Sequence, residues 1–310
     1  MKQTHSMDEK INTKTTPSGL ILITGASGRV ARRAAELLAS EGNCLRLMTR
    51  SPQCAPKLAG AEVIRGDFTH LAGLDDAFAG VSAALVVSAS GKPGERAEHH
   101  RNAFRAAARA RVEHVVYLSL QGAAPDSKYP YSRDHYQSEQ YLIAEGLPCT
   151  VLRDAFYVDM FLEKFGAGGV IRGPAQQECG AFVSREDVAR TAVAALRERP
   201  GGIFDVTGPE ALNVAEVTGR LSRLVGRELR YEDESAVIAR ARLSRLEPLA
   251  WQVDLSVGWF EAIAAGELRP ASDTVLRLTG TAPLGLEDYF RAFPELLQPL
   301  RPGEERVTYV

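Results

Sequence analysis

Leu20-Ile-Leu-Ile-Thr-Gly-Ala-Ser-Gly-Arg-Val-Ala31 is the stretch whose reading decides the fold. Leu20 to Ile23 are four consecutive apolar residues, the run expected of a strand buried on both faces in a parallel sheet. The chain then turns through Gly25, Ala26, Ser27 and Gly28. Val30, Ala34, Leu37 and Leu38 follow at helical spacing, with Arg32, Arg33, Glu36 and Glu41 on the opposite face. A buried strand that ends in glycines at the start of a helix suits a dinucleotide pyrophosphate. The glycines let the backbone turn and approach the phosphates, and the first N–H groups of the helix face the anion. The spacing is Gly-x-x-Gly-x-x-Ala, and its value lies in its place between strand and helix. Gly25, Ser27, Gly28, Arg29 and Val30 are therefore the expected cofactor turn.

Beyond that turn, strands and helices alternate. Strands are expected at Cys44 to Met48, Val63-Ile64, Ala83 to Val87, Val115 to Leu120 and Cys149 to Leu152. Helices are expected at Leu71 to Phe78, Glu95 to Ala110 and Ser132 to Glu145. This alternation predicts an α/β fold with a doubly wound, Rossmann-type parallel sheet. From Phe156 the alternation loosens into a Gly-rich stretch. Ser184-Arg-Glu-Asp187 has the form of a helix start, and Ile203 to Val206 is a further strand able to rejoin the sheet. The expected organisation is a disordered leader over 1–18 and a dinucleotide-binding domain over 19–155 that 182–207 rejoins. A smaller, mainly helical, substrate-binding part is made of 156–181 and 208–310.

Composition narrows the functional classes. The chain has 310 residues, 45% hydrophobic and 25% charged, with a formal charge of −2 and no long basic block. That gives no footprint for nucleic acid. Cys44, Cys54, Cys149 and Cys179 are scattered, without metal-ligand or disulfide spacing, which fits a reducing, cytoplasmic setting and no metal. Met1 to Ser18 lacks an apolar core, and no apolar run approaches the ~20 residues of a membrane helix. The expected partner is a small molecule, with monomer and homodimer both open.

The end of the second strand selects the dinucleotide. An acidic residue there would hold a free 2′-hydroxyl, whereas arginine pairs with a 2′-phosphate. The chain carries Arg50, with Lys57 as added charge and Arg29 as a second candidate, which points to NADPH/NADP+. The plainer alternative leaves these side chains in solvent. Asp67 and Phe68 close the third strand, beside the expected adenine, or else serve as helix cap and core. Ser88 and Ala89 end the fourth strand and Ser119 ends the fifth, the positions that pass ribose and pyrophosphate. Phe156, Tyr157 and Phe161 stand at the expected cleft as substrate contacts.

Several segments together resemble the NmrA-like branch of the atypical short-chain dehydrogenase/reductases. They are the glycine turn, Thr49-Arg50, Gly66-Asp67-Phe68, His100-Arg101-Asn102, Tyr117-Leu-Ser-Leu120, Arg133-Asp-His135, Leu152-Arg153-Asp154 and Phe182 to Ala189. Ala264 to Pro270 and Thr274 to Gly280 extend the likeness, which runs from about Gly19 to Phe293. The resemblance is to quinone oxidoreductases, triphenylmethane-dye reductases and azoreductases of that branch, and it implies NADP(H) binding. One departure concerns proton supply. The wider family sets a lysine four residues after a tyrosine, but here Tyr136 is followed by Gln140, which has no charge to lower a phenol's pKa. Tyr131 and His135 share that spacing and are the candidate catalytic pair, with Glu139 a further helical neighbour of His135. The alternative for His135 is a hydrogen-bonded structural residue. The expected function is hydride transfer from NADPH to a quinone or similar conjugated acceptor. An NADP(H)-sensing regulator without turnover and a specialised biosynthetic reductase are the alternatives.

Overall fold

The computed structural model describes residues 19–89 and 91–301; the expected leader, 1–18, lies outside the described residues. Five strands and four helices alternate first: β1 Leu20–Thr24, α1 Arg29–Ser40, β2 Cys44–Thr49, β3 Glu62–Arg65, α2 Leu71–Phe78, β4 Val81–Val86, α3 Arg96–Arg109, β5 His114–Leu120 and α4 Pro130–Ala144. Then come β6 Cys149–Asp154, the short α5 Phe161–Lys164, β7 Val170–Gly173, β8 Cys179–Gly180, α6 Arg185–Glu198 and β9 Gly202–Val206. The chain closes with β10 Leu212–Asn213, α7 Val214–Val225, β11 Arg230–Asp233, α8 Ala236–Leu243, α9 Ala250–Ala264, α10 Thr274–Thr279 and α11 Leu286–Ala292.

Seven strands form one parallel sheet in the order β3-β2-β1-β4-β5-β6-β9. Period-two alternation supplies both faces. Ile21, Ile23, Leu85, Val116 and Leu118 pack under α1 and α6, while Leu22, Val86, Val115 and Tyr117 pack under α2 to α4. This sandwiching explains why the strands read as continuous apolar runs. The strand order reverses between β1 and β4, so a crevice opens there at the carboxyl ends, where doubly wound sheets hold ligands.

The helix starts follow local chemistry. Ser184 Oγ accepts from Asp187 N at 3.0 Å at the head of α6, but the Asp187 carboxylate turns to Arg190 and Leu284 N instead of closing the box. The reciprocal capping box lies at α7, between Asn213 and Glu216, where the sequence reading did not place one.

The second part is built on an aromatic core in which Phe156 stacks on Trp259 with centroids 5.2 Å apart, and Phe161 meets Phe182 edge-on at 4.7 Å. It is mostly helical, and it also holds two small sheets, β7 with β11 and β8 with β10. Strands of two residues, as in β8 and β10, or of four, as in β7 and β11, are too short for a periodicity to show, which is why the sequence hides them.

Candidate functional site

The crevice at the sheet reversal is a cavity of about 350 Å³. Its floor is the glycine turn. Gly25 sits at φ 61°, a left-handed conformation that disfavours any Cβ. Gly28 N donates to Gly25 O at 2.8 Å, and Arg32 N donates to Gly28 O at 2.8 Å as α1 begins. Ser27 also lines the cavity, and its Oγ takes a hydrogen bond from Thr49 at 3.2 Å.

One wall comes from the ends of β2 and β3. Arg50 is exposed and lines it, together with Thr49, Asp67, Phe68 and Thr69. Burial would raise the Asp67 carboxyl. The Thr69 backbone N–H, the Thr69 hydroxyl and the Arg50 charge outweigh that and hold it below its ordinary value. Phe68 is 7% exposed and serves both as core and as wall. The opposite wall is Val87, Ser88 and Ala89 after β4, with His99 of α3. His99 and Thr69 were not anticipated. Neither ends a strand nor sits in a motif, so only the packing of α3 and of the loop after β3 brings them in.

Other anticipated residues lie elsewhere. Val30 is a core residue, 5% exposed, pointing into the layer under α1. Arg29 turns from the cavity to Asp159, 2.6 Å away and buried. Lys57 is exposed and does not line the cavity. Ser119 is buried and donates to Glu139 Oε1 at 2.5 Å, so its hydroxyl serves an interior carboxylate. Phe156 and Phe161 are 2% and 0% exposed, fillers of the aromatic core that present no free face to a substrate.

His135 needs the largest correction. It is 4% exposed, with Nδ1 2.9 Å from the Tyr117 hydroxyl and Nε2 3.3 Å from Arg96 Nη2. Burial above all, then Arg96 and His100, pushes its pKa far below the usual imidazole value. Both ring nitrogens face interior groups, and the cation is disfavoured. That removes the physical basis for a general acid here. Among the described residues no hydrogen bond joins it to Tyr131 or to Glu139. Tyr131 instead donates to Gly91 O at 2.8 Å and lies under the Arg96 guanidinium, 3.8 Å from ring centroid to Cζ. Burial raises its phenol pKa and Arg96 opposes the rise.

Tyr157 forms a different pair. Its ring lies 4.0 Å beneath Arg185, and its hydroxyl donates to Asp154 at the end of β6. Burial lifts the Asp154 carboxyl to about 7, against the lowering pull of the Tyr157 hydroxyl, its own backbone N–H and Arg185. A carboxyl whose pKa rises on folding favours the native state when protonated, and this contribution fades as pH climbs from the unfolded value of ~4 through 7. Asp154→Asn is therefore expected to raise the melting temperature relative to wild type at pH 8 and to change it little at pH 4. An equal shift at both pH values would count against the titration.

Comparison with known proteins gives this geometry a family. The model of the family described as NAD(P)H-binding matches residues 25–199, from the first glycine of the turn to the end of α6. The chain belongs to the NAD(P)H-binding family. Among relatives, the (4-alkanoyl-5-oxo-2,5-dihydrofuran-3-yl)methyl phosphate reductase of Streptomyces griseus is 32% identical over 90% of this chain and 100% of its own length. The NADPH-dependent quinone oxidoreductase QOR2 of Escherichia coli, solved with NADPH, is 27% identical. It superposes with a TM-score of 0.79, covering 88% of this chain and 99% of that one. The triphenylmethane reductase of Citrobacter sp., solved with NADP(H), is 26% identical with a TM-score of 0.77 over the same shares. As a member of the NAD(P)H-binding family with such relatives, the chain is an NAD(P)H-dependent oxidoreductase. Among its described residues no helix is long and apolar enough to cross a membrane, and no group of three or more His, Cys, Asp or Glu could hold a metal ion.

Proposed function

We propose that the protein is an NADPH-dependent reductase that delivers hydride to a conjugated small molecule, such as a quinone or an α,β-unsaturated carbonyl compound. The observation that carries this reading is the cavity at the β1–β4 reversal, with its glycine floor and Arg50 on its wall. The residues fit the dinucleotide. A Cβ on Gly28 would stand 3.2 Å from Gly25 O, tighter than ordinary contact, so the turn that lines the cavity suits a residue without a side chain. Gly25 to Gly28 would hold the pyrophosphate, Arg50 the 2′-phosphate, Asp67 and Phe68 the adenine, and Ser88 and Ala89 the ribose. The cofactor supplies hydride, and the protein supplies proximity and orientation. The acceptor's oxygen would take its proton from water or from the Tyr131 hydroxyl, which donates to Gly91 O in this structure. The conjugated class is supported by the names of the relatives, which describe a quinone reductase and a reductase of an unsaturated lactone.

The test is NADPH oxidation against a panel of quinones, azo dyes, enones and butenolides, with NADH as control. Turnover of none of them favours a nucleotide-sensing protein. In a binding measurement Arg50→Ala is expected to weaken NADPH binding by about 1.5–3 kcal/mol, the range for a hydrogen bond to a charged group, and to leave NADH binding nearly unchanged. Equal weakening of both by calorimetry would take Arg50 out of this role.

A further inference from the structure

Ala89 lines the dinucleotide cavity, and both of its backbone polar groups are held from behind. Its N–H donates to His100 Nε2 at 2.8 Å, and its carbonyl accepts from Arg96 Nε at 2.7 Å. Arg96 and His100 lie four residues apart, on one face of α3. Both are buried, at 4% and 0% exposure.

The proton positions follow from the geometry. A backbone N–H can only donate, so His100 Nε2 accepts and the neutral ring carries its proton on Nδ1. That proton faces Ser138 Oγ at 2.8 Å, and the Ser138 hydroxyl donates onward to Asp134 O at 2.7 Å. Burial first, then the Arg96 and His99 charges, keeps the imidazole neutral at ordinary pH. Arg96 spends Nε on Ala89 and Nη2 on His135, while its Nη1 is buried without a hydrogen-bond partner. No ion pair to a carboxylate within 4 Å compensates Arg96 among the described residues. Burying an arginine and a histidine in this way is costly, and what the arrangement delivers is one residue, Ala89, fixed at the cavity wall by the peptide groups on both of its sides.

We propose that His100 and Arg96 are positioning residues for the dinucleotide: they clamp Ala89 at both polar groups and so hold the loop after β4 in the shape that receives the cofactor. His135 belongs to the same device at one remove, through Arg96 Nη2 and the Tyr117 hydroxyl. The proposal goes beyond the cavity lining, because neither clamp residue need touch the cofactor.

The test uses the full chain, with NADPH as the probe and wild-type binding established first. His100→Leu removes the acceptor, whereas His100→Gln can present one near the place of Nε2. For His100→Leu the expected result is a rise of about tenfold in the NADPH dissociation constant by fluorescence and in the KM for NADPH, as for loss of one good hydrogen bond. The value of kcat at saturating NADPH should fall by less than about twofold, and His100→Gln should recover most of the loss. Arg96→Met strips the carbonyl partner, should raise the dissociation constant in the same way, and decides the matter alone if His100→Leu does not fold. Wild-type NADPH affinity in either folded variant overturns the proposal. A fall in kcat with affinity unchanged overturns it too, as does a His100→Gln variant no better than His100→Leu. A wild type that does not bind NADPH would instead overturn the cofactor reading.

Discussion

Gly28→Val is expected to abolish dinucleotide binding while the circular dichroism spectrum stays close to wild type. The backbone of Gly28 is extended, with φ −75° and ψ 154°, so valine can adopt its conformation. The difficulty is space. Even a Cβ would lie 3.2 Å from Gly25 O, closer than ordinary van der Waals contact. The two methyl groups beyond it would then occupy the volume that the pyrophosphate needs. Strand β1 is buried and α1 packs on it through Val30, Ala31, Ala34, Ala35 and Leu38, so the fold holds without ligand contacts. Calorimetry should show a dissociation constant raised by more than about 100-fold, equivalent to about 2.7 kcal/mol or more. A folded variant that still binds NADPH would show that the phosphates lie elsewhere.

Arg153→Met should be the most destabilising single change in the sheet layer. The Glu139 side chain is 1% exposed, and both its oxygens are held by Arg153, from Nε at 2.9 Å and Nη2 at 2.6 Å. Ser119 supplies one further hydrogen bond. Methionine keeps much of the volume but leaves a buried carboxylate without its counter-charge. The expected loss is about 3–5 kcal/mol, read from urea denaturation. Replacing both partners, as Glu139→Leu with Arg153→Met, should return part of that stability, since two apolar side chains leave no charge to desolvate. A loss below about 1 kcal/mol for the single change would mean that Ser119 and local water suffice.

The contrast between these sites shows how far the amino-acid pattern carries. The glycine turn, the strand runs and the ends of β2 to β4 are local features, and Gly25, Gly28, Arg50, Asp67 and Ala89 all reach the cavity. Spacing along α4 set Tyr131, His135 and Glu139 side by side but could not say which way that face points. The face is buried and largely polar, made of Ser132, Asp134, His135, Ser138 and Glu139. A polar face suggests solvent until its partners are known, and these partners are Arg96, His100, Tyr117 and Arg153, on α3, β5 and β6. Arg29 was misplaced for the same reason, because Asp159 answers it from 130 positions away. Aromatic residues after β6 looked like pocket walls, yet Phe156 and Phe161 fill a second core whose other half, Trp259, comes a hundred residues later.

The return of the chain to the sheet at β9 bears on how this protein can be taken apart. β9 pairs with β6 along five residues, after the chain has already left to begin the second part. A fragment ending at residue 155 would keep every cavity residue yet strip β6 of that neighbour. It would present an unpaired strand edge, free to recruit another chain. The nucleotide half is thus no excisable module. An exchange of the second part between relatives needs three splice points, one after β6 and one on each side of the α6–β9 segment, and a single cut should yield aggregation in place of a smaller enzyme.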